Sequence, residues 1–214
     1  MSTTKAIEER YGQLAESSCC LSCGTSAERC DAKPGEVCVD LGSGRGTDVL
    51  RLAEIVGPTG HAYGIDVTDA MLETATKTAQ KLGIDNATFL RGTLEELPLP
   101  TGTADWVLSN CVLNHASDKG QAWREIARIL KPGGQFVVSD IYAVGEIPEH
   151  YRNDPAYVAE CWAGAVSKET YLTHVREAGL VGVSVVEETA SYEKGRATVA
   201  SFTITGSKQA RCCS

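Results

Sequence analysis

The feature that most constrains this chain is a glycine-rich turn between an apolar segment and an amphipathic one. Residues 40–46 read DLGSGRG. The apolar run 36–41 leads into the turn, and apolar residues recur at helical spacing over 47–56. Glycines at such a turn let the backbone approach a ligand closely. The pattern predicts a buried strand, a ligand-binding turn and a helix in succession.

Strand and helix patterns alternate along the rest of the chain. Further strands are predicted at 61–67, 87–91, 106–110, 135–142, 182–187 and 197–206. Further helices are predicted at 69–82, 119–130 and 168–178, with a short helical stretch near 155–165. The alternation predicts an α/β fold: a doubly wound, Rossmann-like, mostly parallel seven-stranded sheet with helices on both faces and an antiparallel final strand.

The length of 214 residues fits one such domain. We expect an N-terminal helix and cysteine-rich loop over 1–33, the α/β domain over 34–206, and a cysteine-containing tail over 207–214. No apolar run approaches the roughly 20 residues that span a bilayer. The start of the chain is polar, unlike a signal peptide, so we expect a cytoplasmic protein.

The net charge and the number of cysteines limit the classes of partner and chemistry that we expect. A net charge of −8 would repel nucleic-acid phosphates and anionic membranes, so we expect neither as a partner. The chain has nine cysteines, an odd count that argues against a disulfide framework in a reducing compartment. Soft-element or redox chemistry is favoured instead.

An acidic residue in register with the glycine turn identifies the ligand. Asp66 ends the second predicted strand, where a carboxylate can accept hydrogen bonds from ribose hydroxyls. Thr47 stands where a dinucleotide fold would have its third glycine. Asp40 would repel phosphates but attract an ammonium or sulfonium group. These residues indicate S-adenosylmethionine (SAM) as the cofactor.

At this point the chain resembles the class I SAM-dependent methyltransferases over about residues 34–206. The motifs that carry the resemblance are VDLGSGRG, GIDVTDAML, RGTLEELPLP, ADWVLSN and LKPGGQFVVSD. The resemblance implies that Asp66 binds the ribose, that Met71 and Leu94 flank the adenine, and that Glu95 lies near its amino group. It also implies that the methyl group points toward Asn110 and Cys111. The full set of expected cofactor-binding residues is Asp40, Gly42, Ser43, Gly44, Asp66, Val67, Met71, Gly92, Thr93, Leu94, Glu95 and Asn110.

A narrower resemblance is to the arsenite methyltransferases. It rests on SNCVLNHASDK and on DIYAVGEIPEHYRNDPAYVAECWAGA. In that family two arsenic-binding thiols lie at the positions of Cys111 and Cys161 here. A third comes from the segment before the domain, where Cys19 or Cys20 stands; we choose Cys20, and Cys23 is an alternative.

Two departures from that family are visible. The sequence given ends at residue 214, so we expect the longer C-terminal domain common in the family to be missing and the product spectrum to be affected. His115 stands where the family generally has an apolar residue.

The chemistry of trivalent arsenic agrees with the resemblance. Arsenic(III) is soft and favours thiolates. Held by Cys20, Cys111 and Cys161, it would keep a lone pair that attacks the SAM methyl group in line. Thiols such as glutathione or thioredoxin would then act as the reductant. We expect methylation of arsenite or methylarsenite by a monomer, serving arsenic detoxification.

Two other functions fit the sequence. One is methylation of an organic metabolite such as a quinone precursor, with His115 as the base. The other is a non-enzymatic thiol protein that binds soft metals through residues 19–23 and the Cys212-Cys213 pair. We interpret Cys38 as a core residue. Cys30 could be surface scatter or a redox partner, and we favour surface scatter.

Overall fold

The sheet is built as the alternating pattern predicts. The computed structural model describes residues 2–14 and 26–210. Its strands are β1 (Val37–Leu41), β2 (His61–Asp66), β3 (Ala87–Arg91), β4 (Ala104–Asn110), β5 (Leu130–Ala143), β6 (Leu180–Glu188), β7 (Tyr192–Lys194) and β8 (Ala197–Lys208). Their order is β3-β2-β1-β4-β5-β8-β6, with β7 paired to β8 beside this path. Strands β1 to β5 pair in parallel, and β8 is antiparallel to β5 and β6.

Seven helices surround the sheet in the described residues. They are α1 (Thr3–Leu14), α2 (Thr47–Val56), α3 (Asp69–Leu82), α4 (Lys119–Ile129), α5 (Glu149–Arg152), α6 (Pro155–Val158) and α7 (Lys168–Glu177). Short 3-10 turns occur at Ala27–Arg29, Leu113–His115 and Trp162–Gly164. None of the described helices is long and apolar enough to cross a bilayer.

The seven predicted strands are confirmed, and two details differ. An eighth strand, β7, forms a hairpin with β8 through Gly195, whose φ is +63°. The helical stretch predicted near 155–165 is broken into α6 and a separate 3-10 turn, because Cys161 between them has a φ of +74°. A residue with positive φ cannot continue a right-handed helix.

Both faces of the central strands are buried, which explains their continuous apolar runs. Val39 and Leu41 of β1 belong to a core cluster with Trp123 of α4. Cys38, which points to the other face, belongs to a second cluster with Leu52 of α2. Side chains that alternate along one strand therefore fill two separate cores.

The carboxyl ends of the parallel strands lie at one edge of the sheet, and α1 lies across that edge. Glu8 of α1 forms an ion pair with Arg91 at 2.5 Å, and Arg10 forms one with Glu160 at 3.6 Å. The edge where sequence analysis places the ligand is thus partly covered by the N-terminal helix.

Candidate active site

Asp66 organises the glycine-rich turn. Its carboxylate accepts hydrogen bonds from the backbone N–H of Gly44 and of Thr68, each at 2.9 Å. Burial raises the pKa of Asp66, and these backbone donors oppose that rise. The carboxylate therefore joins the turn after β1 to the start of α3.

A cavity of about 330 Å³ opens at this edge of the sheet. Most of the predicted cofactor residues line it, namely Gly42, Gly44, Asp66, Val67, Met71, Gly92, Thr93, Leu94, Glu95 and Asn110. Cys111 and Cys161 line the same cavity. Residues from distant parts of the sequence are therefore brought together around a single space.

Asp40 and Ser43 are predicted cofactor residues that do not line this cavity. Both are buried. Burial raises the pKa of Asp40 well above its usual range, and the neighbouring carboxylates Asp48 and Asp66 raise it further. Asp40 therefore lies beneath the glycine-rich turn and does not reach the cavity.

The part of the cavity wall formed by the predicted cofactor residues, here called the cofactor side, presents hydrogen-bond acceptors. The Oδ1 atom of Asn110 is buried and has no hydrogen-bond partner among the described residues, while its Nδ2 donates to Asp48 at 3.3 Å. Glu95 accepts from the backbone N–H of Ser117 at 2.7 Å. The Asn110 Oδ1, which has no donor among the described residues, suits a ligand that carries a cation or hydroxyl groups.

Cys111 and Cys161 meet where two backbone segments cross. Cys161 Sγ donates to the Cys111 carbonyl oxygen at 2.6 Å. The Cys111 N–H in turn donates to the Ser139 carbonyl at 2.8 Å. Cys111 has a φ of +53° and Cys161 a φ of +74°, which L side chains rarely adopt.

A glycine allows this crossing. A Cβ at Gly164 would lie 2.0 Å from the Asn114 carbonyl oxygen, so only glycine fits beside that backbone. The Asn114 side chain donates to Asp140 Oδ1 at 2.8 Å and to the Ile141 carbonyl at 2.7 Å. The segment after Cys111 is thus fixed to β5 on one side and pressed against the segment after Cys161 on the other.

His115 is buried beside Cys161. Its Nε2 lies 3.2 Å from Cys161 Sγ, and its Nδ1 lies 3.0 Å from the Val158 carbonyl oxygen. The Tyr11 hydroxyl is 3.4 Å from the same Nε2. Burial lowers the pKa of His115 to about 4, although the bond to Val158 opposes the shift.

Sequence analysis missed the part of the wall that comes from outside the sheet. Arg10 and Tyr11 come from α1, Lys194 from the β7–β8 hairpin, and Glu160 from the segment before Cys161. The sequence Lys194-Gly195-Arg196 between polar residues is a recognisable turn signal. We find no sequence signal that brings α1 to the cavity.

The third predicted thiol, Cys20, lies outside the described residues, as do its alternatives Cys19 and Cys23 and the Cys212-Cys213 pair. Within residues 2–14 and 26–210, no three His, Cys, Asp or Glu side chains converge as a metal site. The structure thus brings together two of the three predicted thiols.

The interpretation of Cys38 as a core residue is confirmed, and that of Cys30 as surface scatter is wrong. Cys38 is fully buried, and Cys30 packs against the same core cluster. A hydrogen bond between the two thiols lowers the pKa of Cys30 and raises that of Cys38. Cys38 thus lies in the core beside α2, and Cys30 packs against that core from a partly buried position.

The fold and the cavity define a class: the Rossmann-like fold of the class I SAM-dependent methyltransferases, with a ligand cavity at the carboxyl edge of the sheet. A family model described as a methyltransferase domain matches residues 32–179. The chain belongs to this methyltransferase domain family.

Some relatives of this chain within the class have names that state a substrate. The arsenite methyltransferase of Halobacterium salinarum is 34% identical over 173 residues, which cover 81% of this chain and 44% of that protein. The arsenite methyltransferase of Mus musculus is 41% identical over 138 residues, covering 60% of this chain and 36% of that protein. The chain therefore spans less than half the length of these curated relatives.

A solved structure extends the comparison. The arsenic(III) S-adenosylmethionine methyltransferase of Chlamydomonas reinhardtii superposes with a TM-score of 0.76 at 28% identity, covering 97% of this chain and 74% of that one. The two proteins therefore share the fold and are also similar in sequence.

Proposed function

We propose that this protein is a SAM-dependent methyltransferase of trivalent arsenic, acting on arsenite or methylarsenite. One observation carries the proposal: Cys161 contacts the Cys111 backbone at 2.6 Å, in the cavity that Asp66 and Asn110 also line. An organic acceptor has no use for thiols there, whereas arsenic(III) favours them. The similarity to arsenite methyltransferases supports the same substrate.

The residues at the cofactor side fit SAM. Asp66 would hold the ribose hydroxyls, and the unpartnered Asn110 Oδ1 would accept from the ammonium group. Glu95 lies on the same wall for the adenine amino group, and Met71 and Leu94 offer apolar contact. When bound, SAM supplies an electrophilic methyl group. The remaining predicted contacts are backbone or small side chains in Gly42, Gly44, Val67, Gly92 and Thr93.

The protein's main contribution would be orientation. Cys111, Cys161 and a third thiol, Cys20 in our proposal, would bind arsenic as thiolates and leave its lone pair directed into the cavity. Holding a nucleophile and an electrophile in near-attack geometry can lower a barrier by roughly 7–11 kcal/mol. No base acting on the nucleophile is needed, because arsenic reacts through its lone pair.

The reaction also requires a reductant. Methyl transfer oxidises arsenic formally to the pentavalent state, so a thiol reductant such as glutathione or thioredoxin would be needed for turnover. We propose a cytoplasmic monomer that serves arsenic detoxification, with the methyltransferase domain at 34–206 between an N-terminal segment (1–33) and a tail (207–214).

The test is methylation of arsenite by the reduced protein with SAM and a thiol reductant, followed by element-specific chromatography of methylated arsenic. We expect product from the wild type and no product from Cys111→Ser or Cys161→Ser. The matched control is Cys30→Ser, which removes a thiol outside the cavity and should retain activity. Near-normal activity of either cavity variant would exclude the thiol site. SAM binding without any methylated arsenic would indicate an organic acceptor.

A further inference from the structure

His115 and the Cys111 carbonyl both lie within hydrogen-bonding distance of the Cys161 thiol. The two acceptors lie 3.2 Å and 2.6 Å from Cys161 Sγ. They differ in chemistry. An amide carbonyl accepts a hydrogen bond but does not take up a proton at neutral pH, whereas an imidazole nitrogen can do both.

The backbone fixes the tautomer of His115. A carbonyl oxygen can only accept, so the 3.0 Å contact with Val158 requires that Nδ1 carries the hydrogen. In the neutral ring, Nε2 then holds a lone pair. The lone pair is thus available next to the thiol.

We propose that His115 accepts the thiol proton of Cys161 as this sulfur bonds to arsenic, and passes the proton to the hydroxide that leaves arsenic. The inference rests on the proposed function. It assigns to His115 a part in substrate capture that is distinct from methyl transfer.

The step balances without a redox partner. The S–H bond of Cys161 and one As–O bond of arsenite break, and an S–As bond and an O–H bond of water form. Arsenic stays trivalent and sulfur is not oxidised. The proton moves from a thiol of ordinary pKa about 8.5 to the oxygen that leaves arsenic, which becomes a stronger base as the As–O bond breaks.

Tyr11 can support the transient imidazolium. Its hydroxyl lies 3.4 Å from Nε2 and can act as donor or acceptor. When Nε2 is neutral, the hydroxyl can donate to it; once Nε2 is protonated, the hydroxyl can rotate and accept. Tyr11 comes from α1, so the helix that covers the cavity also contacts the proton acceptor.

The test measures arsenite capture rather than methylation. Excess arsenite is mixed with reduced protein in a stopped-flow instrument, and binding is followed by tryptophan fluorescence, since Trp162 adjoins Cys161. Protection of Cys161 from iodoacetamide, resolved by peptide mass spectrometry, verifies the site. The variants are His115→Ala and His115→Gln. The control is His150→Ala, which removes an exposed histidine of α5.

General acid–base assistance is worth roughly 10²- to 10⁴-fold in rate, so we expect the capture rate constant to fall at least ~10-fold in both His115 variants. Added imidazole should restore the rate of His115→Ala in a saturable manner and leave the wild type unchanged. The wild-type rate should also be slower in D₂O, and this isotope effect should disappear in His115→Gln.

Two results would overturn the inference while leaving the proposed function intact. One is capture at the wild-type rate by both His115 variants. The other is slow capture by His115→Ala that imidazole does not restore, which would indicate a packing role. If the wild type itself captures no arsenite, the proposed function fails first, and the two failures are thereby distinguished.

Discussion

The two sides of the cavity reach similar backbone conformations with different residues. At the cofactor side, the left-handed positions in the turn after β1 are Gly42, Gly44 and Gly46. At the thiol side they are Cys111 and Cys161, the only non-glycine residues with positive φ in the described part of the chain. A glycine adopts this conformation at little cost, whereas a cysteine is strained there. The thiol side therefore gives up stability to hold two cysteines at the wall of the cavity.

The largest expected effects separate the two sides. Asp66→Ala should weaken SAM binding by roughly 10- to 100-fold, because a charged hydrogen-bond acceptor is lost. Arsenite capture should be unchanged. Cys161→Ser should have the opposite effects, losing capture while keeping SAM affinity within about twofold. Calorimetry with SAM and measurement of protein-bound arsenic test this. If either variant lost both SAM binding and arsenite capture, the cofactor side and the thiol side would be coupled.

Gly164→Ala tests whether the crossing of the two thiol segments matters. The added methyl group would meet the Asn114 backbone at 2.0 Å and force the segments apart. We expect arsenite methylation to fall by about tenfold or more and the free energy of unfolding by about 1–3 kcal/mol, as for overpacked cores. SAM binding should persist. In the control variant Gly145→Ala, the new methyl group meets nothing within 4 Å, and neither quantity should change appreciably.

The same comparison explains which parts could be predicted from the sequence. Around β1 and β2, apolar periodicity, glycines and Asp66 all indicate the same strand–turn–helix unit, and the structure has it with similar boundaries. Local signals suffice there because the ligand edge follows from the order of parallel strands.

At the thiol side, the sequence predicts only which two cysteines take part, and it does so through a family resemblance. Nothing local indicates that Cys111 and Cys161 have positive φ, since cysteine does not favour it. The fixed tautomer of His115 depends on the Val158 carbonyl, 43 residues away in sequence. Such contacts arise from tertiary packing, which single-sequence periodicity does not report.

A buried carboxylate beneath the thiol side gives a pH test. Burial raises the pKa of Asp140 to about 6, against hydrogen bonds from Ile141, Tyr171 and Asn114. The folded protein therefore binds this proton more tightly than the unfolded chain, whose aspartate pKa is about 3.9. The stability contributed by Asp140 is present below pH 4 and is lost as pH rises to about 6.

His115 changes the folding stability in the opposite direction over much of the same pH range. Its folded pKa of about 4 lies below the unfolded value of about 6.5, so its contribution is lost as pH falls. Comparing Asp140→Asn with the wild type isolates Asp140. Urea unfolding should show the variant gaining relative stability from pH 4 to 6, by about 2–3 kcal/mol at most, and levelling off above pH 6. A difference that is flat or falls with pH would contradict the assignment.

The smallest expected effect measures the strain itself. Cys111→Ala and Cys111→Gly both remove the thiol, so their difference reports on the backbone. At a φ of +53°, glycine should be more stable than alanine by about 1 kcal/mol, the reverse of the usual order. Cys30 provides the matched pair because its φ is −80°; there the alanine variant should be the more stable by about 0.5–1 kcal/mol. Chemical denaturation of the four variants measures both differences. If alanine were favoured at both positions, Cys111 would not be strained, and the contrast between the glycine-built and cysteine-built sides would reduce to a difference in chemistry alone.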